Sequence, residues 1–451
     1  MRLALPRSFL NAACLGSILL LSACTGAATP TGTPIVVQTT FMIVVTVTPA
    51  PTPISGEVSF MVFGEPAGVQ AFQNVADAFE AANPGIKVTL IPVAGSEEEY
   101  HAKLGSDLAG GQPADVVLID YDAASEFFET GAFQPLTEML AASSLVKPGD
   151  LYPQPVEAFR SDDEQMCMPL SAGSLVVYYN KTLFDAAGQA YPKAGWTWDQ
   201  FLAAAQALTK DTDGDGKTDQ FGVDLHPTFN QVLPFIWSNG GDLLADGGKA
   251  LALDTPAARE AIQFVVDWQS KYHIAPSQAE EQALDGGGRF EDGTLAMFID
   301  SPETVPNLRA LNEGPAWDIG PLPRKTQAVT ILKSDGVCLA AKAQHPDLGW
   351  KLIEYLASPA GQATLAATGR VEPVNKSVAE SPTFLASGKA PASSQVWLDN
   401  IPLIRTVPAL KHWPDIEERA NEEIESAFYG HTTGDEAVQE ITDQAGPFLQ
   451  P

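Results

Sequence analysis

Val58-Ser59-Phe60-Met61-Val62-Phe63, then Gly64-Glu65-Pro66, then Val69, Phe72, Val75, Ala76 and Phe79 is the stretch that decides the fold. The first run is near-continuously apolar, as a strand buried on both faces requires, and the Gly-Glu-Pro turn ends it. The apolar residues that follow are spaced three and four apart, one face of a helix, and Asn83-Pro84-Gly85 stops that helix. Ile86, Val88 and Leu90 alternate as a second strand. Ala114-Asp115-Val116-Val117-Leu118-Ile119-Asp120 reads as a third, with a helix expected over Ser125–Gly131. Strands alternating with helices predict an α/β body with a parallel core. In such sheets ligands sit beyond the carboxyl ends of the strands. Glu65 and the group Asp120-Tyr121-Asp122 lie at two such ends.

The same texture continues outward. Leu175 to Lys181 reads as a strand feeding a helix at Thr182, and Trp196-Thr197-Trp198 opens a helix from Asp199 to Leu208. Leu295 to Ile299 is a strand ending at Asp300-Ser301-Pro302-Glu303. Val337 to Ala340 precedes an amphipathic helix over His345–Leu356, and Ile416–Gln439 is helical and acidic. Roughly 395 residues follow residue 56, more than one core usually holds, so two lobes are expected.

The amino-terminal end is of another kind. Arg2 and Arg7 precede an apolar run from Ala12 to Leu21, and then comes Leu21-Ser22-Ala23-Cys24. That order is a secretory signal peptide, too short to anchor as a stable membrane span. Cys24 after Leu-Ser-Ala looks like the lipobox of bacterial lipoproteins, which implies a signal peptide over residues 1–23, a lipidated Cys24 and attachment to the cell membrane. Residues 24–56 are rich in Thr and Pro without helical periodicity, which reads as an extended tether. The chain carries net charge −30, with 56 acidic against 26 basic side chains. Binding a phosphate backbone needs clustered Lys and Arg, so no nucleic-acid partner is expected. With Cys14 removed and Cys24 acylated, Cys167 and Cys338 remain to pair in an oxidising compartment.

Several short segments, read in order, resemble the family 1 extracellular solute-binding proteins of ABC transporters, the group containing the maltose-binding protein. They are Phe63-Gly64-Glu65, Pro113 to Val117, Gly131-Ala132-Phe133-Gln134-Pro135-Leu136, Met168-Pro169-Leu170 and Val177 to Lys181. Trp196-Thr197-Trp198, Trp237-Ser238-Asn239-Gly240-Gly241, Gly293 to Met297 and Glu354 to Pro359 complete the series. The resemblance implies a two-lobed periplasmic-binding-protein-like α/β fold (type II) with the ligand cleft between lobes. Lobe one would comprise 57–168 plus 338–390, and lobe two 169–337 plus 391–451. Met168 to Ser171 and Gly336 to Leu339 would be hinge strands running side by side, which makes a Cys167–Cys338 disulfide compatible with the family layout. The implied function is a receptor, not an enzyme, delivering a small solute, a mono- or oligosaccharide first, to ABC permease subunits.

Candidate ligand-binding residues follow from loop position. Glu65 either accepts hydroxyls of a sugar or caps the next helix. Asp120 and Asp122 can take hydroxyls, and Tyr121 can stack on a pyranose face, unless all three are solvated loop residues. Phe229 and Asn230 match the loop before the Trp237 helix, and Trp237 either lines the cleft or fills the core. Asp300 and Glu303 end a strand; related sugar binders commonly carry a tryptophan where Glu303 stands, which argues against transferring maltose specificity. Arg370, Glu372 and Trp413 fall in family segments that can reach the cleft.

Asp211, Asp213, Asp215 and Asp219, with Gly216, match the spacing of an EF-hand loop, but position twelve is Gly222. The loop is either a structural calcium site or a solvated acidic turn, and no other cofactor is required. Two rival functions stand beside the sugar receptor: a binder of a cationic solute such as a polyamine, since carboxylates also suit an amine, and an exported glycoside hydrolase, which needs two carboxylates flanking one bond. No His-Glu-x-x-His, Gly-x-Ser-x-Gly, P-loop or zinc spacing supports an enzyme.

Overall fold

The computed structural model describes residues 54–449 other than 96, 129, 386, 387, 409 and 411. The expected signal peptide, Cys24 and nearly all of the expected tether lie outside the described residues. In chain order the first elements are β1 (Gly56–Phe63), α1 (Pro66–Ala82), β2 (Ile86–Val93), α2 (Glu97–Gly110), β3 (Val116–Asp120), α3 (Tyr121–Phe128), β4 (Cys167–Pro169) and β5 (Val176–Asn180). Then come α4 (Trp198–Leu208), α5 (Phe229–Ser238), α6 (Pro256–Ser270), α7 (Gly286–Asp292), β6 (Met297–Asp300), α8 (Val305–Ala310) and β7 (Trp317–Gly320). The chain closes with β8 (Asp335–Leu339), α9 (Pro346–Ala357), α10 (Pro359–Thr368), α11 (Trp413–Phe428) and α12 (Gly434–Ala445).

The first body is built on a five-stranded sheet in the order β2-β1-β3-β8-β4. β1 runs parallel to both β2 and β3, because each crossover is a helix. Val58, Phe60 and Val62 of β1 pack with Phe72, Val75 and Phe79 of α1 in one buried cluster, which is the burial the sequence periodicities call for. β8 arrives from a distant part of the chain and pairs antiparallel with β3 on one side and β4 on the other. Cys338 stands directly opposite Cys167 in that pairing, with Cα atoms 4.3 Å apart, and the two form a disulfide across 171 residues of sequence.

The second body centres on a three-stranded sheet, β6-β5-β7, antiparallel throughout. Residues 221–224 add parallel bridges from Phe221 to Leu295 and from Asp224 to Phe298. Around it, Thr197 and Gln200 make reciprocal cap bonds at the start of α4, and Trp198 stacks on Phe264 with ring centroids 4.2 Å apart.

Three expectations are corrected. The helix placed over Ser125–Gly131 begins instead at Tyr121, directly on the end of β3, where the Tyr121 N–H donates to the Ser334 carbonyl. Phe229 and Asn230 are not in a loop: they open α5, which also accommodates Pro234. The acidic carboxyl-terminal stretch is two helices, because Thr433 and Glu436 form a capping box that starts a new one. Of these, α11 packs on α5, α6 and α12 and also reaches α3 of the first body. Among the described residues no helix is long and apolar enough to cross a membrane.

Candidate solute-binding cleft

The ends of β3 and β6 bring carboxylates from both bodies to one place. Asp120 ends β3, and its carboxylate lies 3.5 Å from His101 Nε2. It stands opposite Asp335, the first residue of β8, in the β3–β8 pairing. Asp120, Glu303 and Asp335 each offer an oxygen within 4.8 Å of the others. Arg370 holds this group together: its guanidinium lies 2.8 Å from Asp335 Oδ2 and 2.8 Å from Glu303 Oε1. Three acids around one buried cation leave surplus negative charge in a dry place. Burial, and the Glu303 carboxylate after it, push the Asp335 carboxyl up to about 7 against the pull of Arg370.

A second polar group adjoins the first through the Asp120-Tyr121-Asp122 corner. Asn230 donates from Nδ2 to Asp122 Oδ2 at 3.0 Å and to Glu417 Oε1 at 2.6 Å. The Trp413 indole N–H donates to Glu417 Oε2 at 2.9 Å, and its ring stacks on Phe229 at 6.1 Å between centroids. Lys333 lies 3.9 Å from Asp122. Asp300, at the end of β6, accepts from the Ser301 N–H, and burial raises its carboxyl while His226 draws it down. Glu65 makes no side-chain cap bond on α1 and is exposed. Its charge is felt by Glu291 of α7 in the other body, whose carboxyl is raised by burial and then by Asp285 and Glu65.

One expected ligand contact, Tyr121, is corrected, and the alternatives for Trp237 resolve to the core. Tyr121 is packed into the core and its hydroxyl accepts from the Val407 N–H, so its ring has no open face for a pyranose in this conformation. Trp237 is also core, buried on α5 with the Arg405 guanidinium 4.5 Å from its ring centroid. Phe229 and Trp413 are fully buried as well, and Trp413 reaches the polar group only through its N–H.

A family described as bacterial extracellular solute-binding protein matches residues 64–363. The chain belongs to this family. A relative from Brucella abortus, named only as a binding protein, is 25% identical over 396 residues, which is 84% of this chain and 90% of the relative. Among solved structures, an ABC substrate-binding protein of Listeria monocytogenes in complex with cycloalternan superposes with a TM-score of 0.80 at 23% identity, covering 87% of this chain and 99% of that one. Maltose-bound MalE3 of T. maritima gives a TM-score of 0.76 at 21% identity, covering 87% and 100%. These likenesses establish the two-lobed solute-binding fold. Family and neighbours are binding proteins rather than enzymes, and the extracellular family places the folded body outside the cytoplasm.

Reading the sequence alone missed His101, Lys333, Asp335 and Glu417. For Asp335 the signal was available: a carboxylate stands at the head of the otherwise apolar strand Asp335-Gly336-Val337-Cys338-Leu339, where a buried charge needs a partner. Glu417 lies one helical turn beyond Trp413, spacing that places both on one face.

Proposed function

We propose that this solute-binding protein captures a neutral mono- or oligosaccharide in the cleft and delivers it to an ABC importer by closure, without chemistry. The supporting observation is the acceptor-rich floor formed by Asp120, Asp122, Glu303, Asp335 and Glu417, with Asn230 and Trp413 beside it. Carboxylates accept paired hydroxyl donors, which a sugar supplies and an apolar solute does not. The cycloalternan and maltose held by the structural neighbours agree with this reading. Lipidation at Cys24 would keep the receptor at the membrane beside its permease partners. A thermal-shift screen of the tether-free protein against saccharides tests the reading, since a ligand at 100 times its dissociation constant adds about 2.7 kcal/mol.

A second reading has its own support. The carboxylates outnumber Arg370 and Lys333 in the cleft, which is the balance expected for an amine such as a polyamine. A screen in which polyamines raise the melting temperature and no saccharide does would favour it. For the acidic loop, calcium remains a proposal. Asp211, Asp213 and Asp215 bring carboxylate oxygens within 4.8 Å of one another. Asp219 instead accepts from Thr212 and Asp213 N–H groups within the loop. Position twelve cannot be supplied: a Cβ on Gly222 would stand 2.0 Å from the Ala205 carbonyl oxygen.

A further inference from the structure

Arg370 belongs to the first body. Its guanidinium lies 5.5 Å from the Phe72 ring centroid of α1, and its side chain passes Gly68 on the same helix at van der Waals distance. Asp335 fixes one nitrogen, and both side chains are almost wholly buried, so that pair has no reason to open when the protein moves. Glu303 is different. It follows β6, an edge strand of the second body's sheet, its side chain is 40% exposed, and its backbone N–H is held by the Ser301 hydroxyl. Next to it α8 packs on α1 across the same boundary. The Arg370–Glu303 pair is therefore an ion pair between the two bodies, with Nη1 and Oε1 2.8 Å apart.

We propose that Arg370 is a positioning residue that latches the cleft: by holding Glu303 it biases the receptor toward the closed arrangement before any solute arrives. The proposal rests on the cleft being the solute site but not on the solute being a sugar. A rotation that opens the cleft carries Glu303 away from Arg370 while leaving Arg370 on Asp335. The population of the closed state is thus set partly by one partly exposed carboxylate. A solute that binds only the closed state then has an apparent dissociation constant raised by any loss of that population.

The test is small-angle X-ray scattering of the ligand-free protein from residue 54 onward, comparing the parent with Glu303→Gln and Glu303→Ala. The latch predicts a larger radius of gyration for both variants than for the parent, with circular dichroism unchanged. Identical scattering for parent and variants overturns it, as does a parent whose scattering already fits an open arrangement. Because no ligand is present, failure here leaves the saccharide reading standing, and failure of a saccharide to bind leaves the latch standing.

Discussion

Glu372 is fully buried, and among the described residues neither of its carboxylate oxygens meets a hydrogen-bond donor. Burial alone pushes its carboxyl well above the ordinary value of 4.5. The folded chain thus keeps a proton that the unfolded chain releases. The resulting stability is fully present below 4.5 and is lost as pH rises toward the folded value, at about 1.4 kcal/mol per pH unit. Asp335 has the same sign between 3.8 and about 7. Glu372→Gln is expected to flatten the fall of melting temperature with pH and to leave a higher melting temperature than the parent at pH 8. Parallel curves for parent and variant would contradict this. A second expectation concerns Asn230, which bridges Asp122 and Glu417. Removing it as Asn230→Ala should weaken solute binding about tenfold or more, roughly the worth of one charge-assisted hydrogen bond, measurable by calorimetry. At this scale the sequence was only half legible. Carboxylates at strand ends announced themselves, but an aromatic serves a core and a cleft equally well, so Tyr121 was read toward the cleft and Trp237 was left open between cleft and core, when packing claims both.

Elements were the most legible scale. β1, α1, β2 and β3 appear where a period of apolar residues and a Gly or Pro stop placed them, with β1 and β3 buried on both faces and α1 burying one face against the sheet. The start of α3 was not, since no turn residue separates it from β3 and only a tertiary bond to Ser334 fixes Tyr121 at its head. The pairing of β4 with β8 came from family resemblance, as nothing local joins residues 171 apart. Thiol titration of the unfolded, unreduced body from residue 54 should find neither Cys167 nor Cys338 free. Reduction should then lower stability by about 2–4 kcal/mol in denaturant unfolding. For the loop over Asp211–Asp219, three converging carboxylates without a twelfth ligand predict at most a small rise in melting temperature with millimolar calcium, reversed by chelator. No change with either would leave a solvated acidic turn.

For the whole molecule, the polar floor lies where the strand ends of the two α/β bodies meet. The −30 charge of the chain says little about the solute, because charges at large separations are screened at physiological salt, whereas the few carboxylates in the cleft act at contact. Contact chemistry therefore separates a sugar, bound through hydroxyl hydrogen bonds, from a cation, bound through charge. The most direct measurement is isothermal calorimetry of the body from residue 54 onward with malto-oligosaccharides and with a polyamine, at 20 mM and at 500 mM salt. The account predicts saccharide binding with an affinity nearly the same at both salts and weakened in Asp122→Ala. Polyamine binding that falls steeply with salt, with no heat from any saccharide, would contradict it.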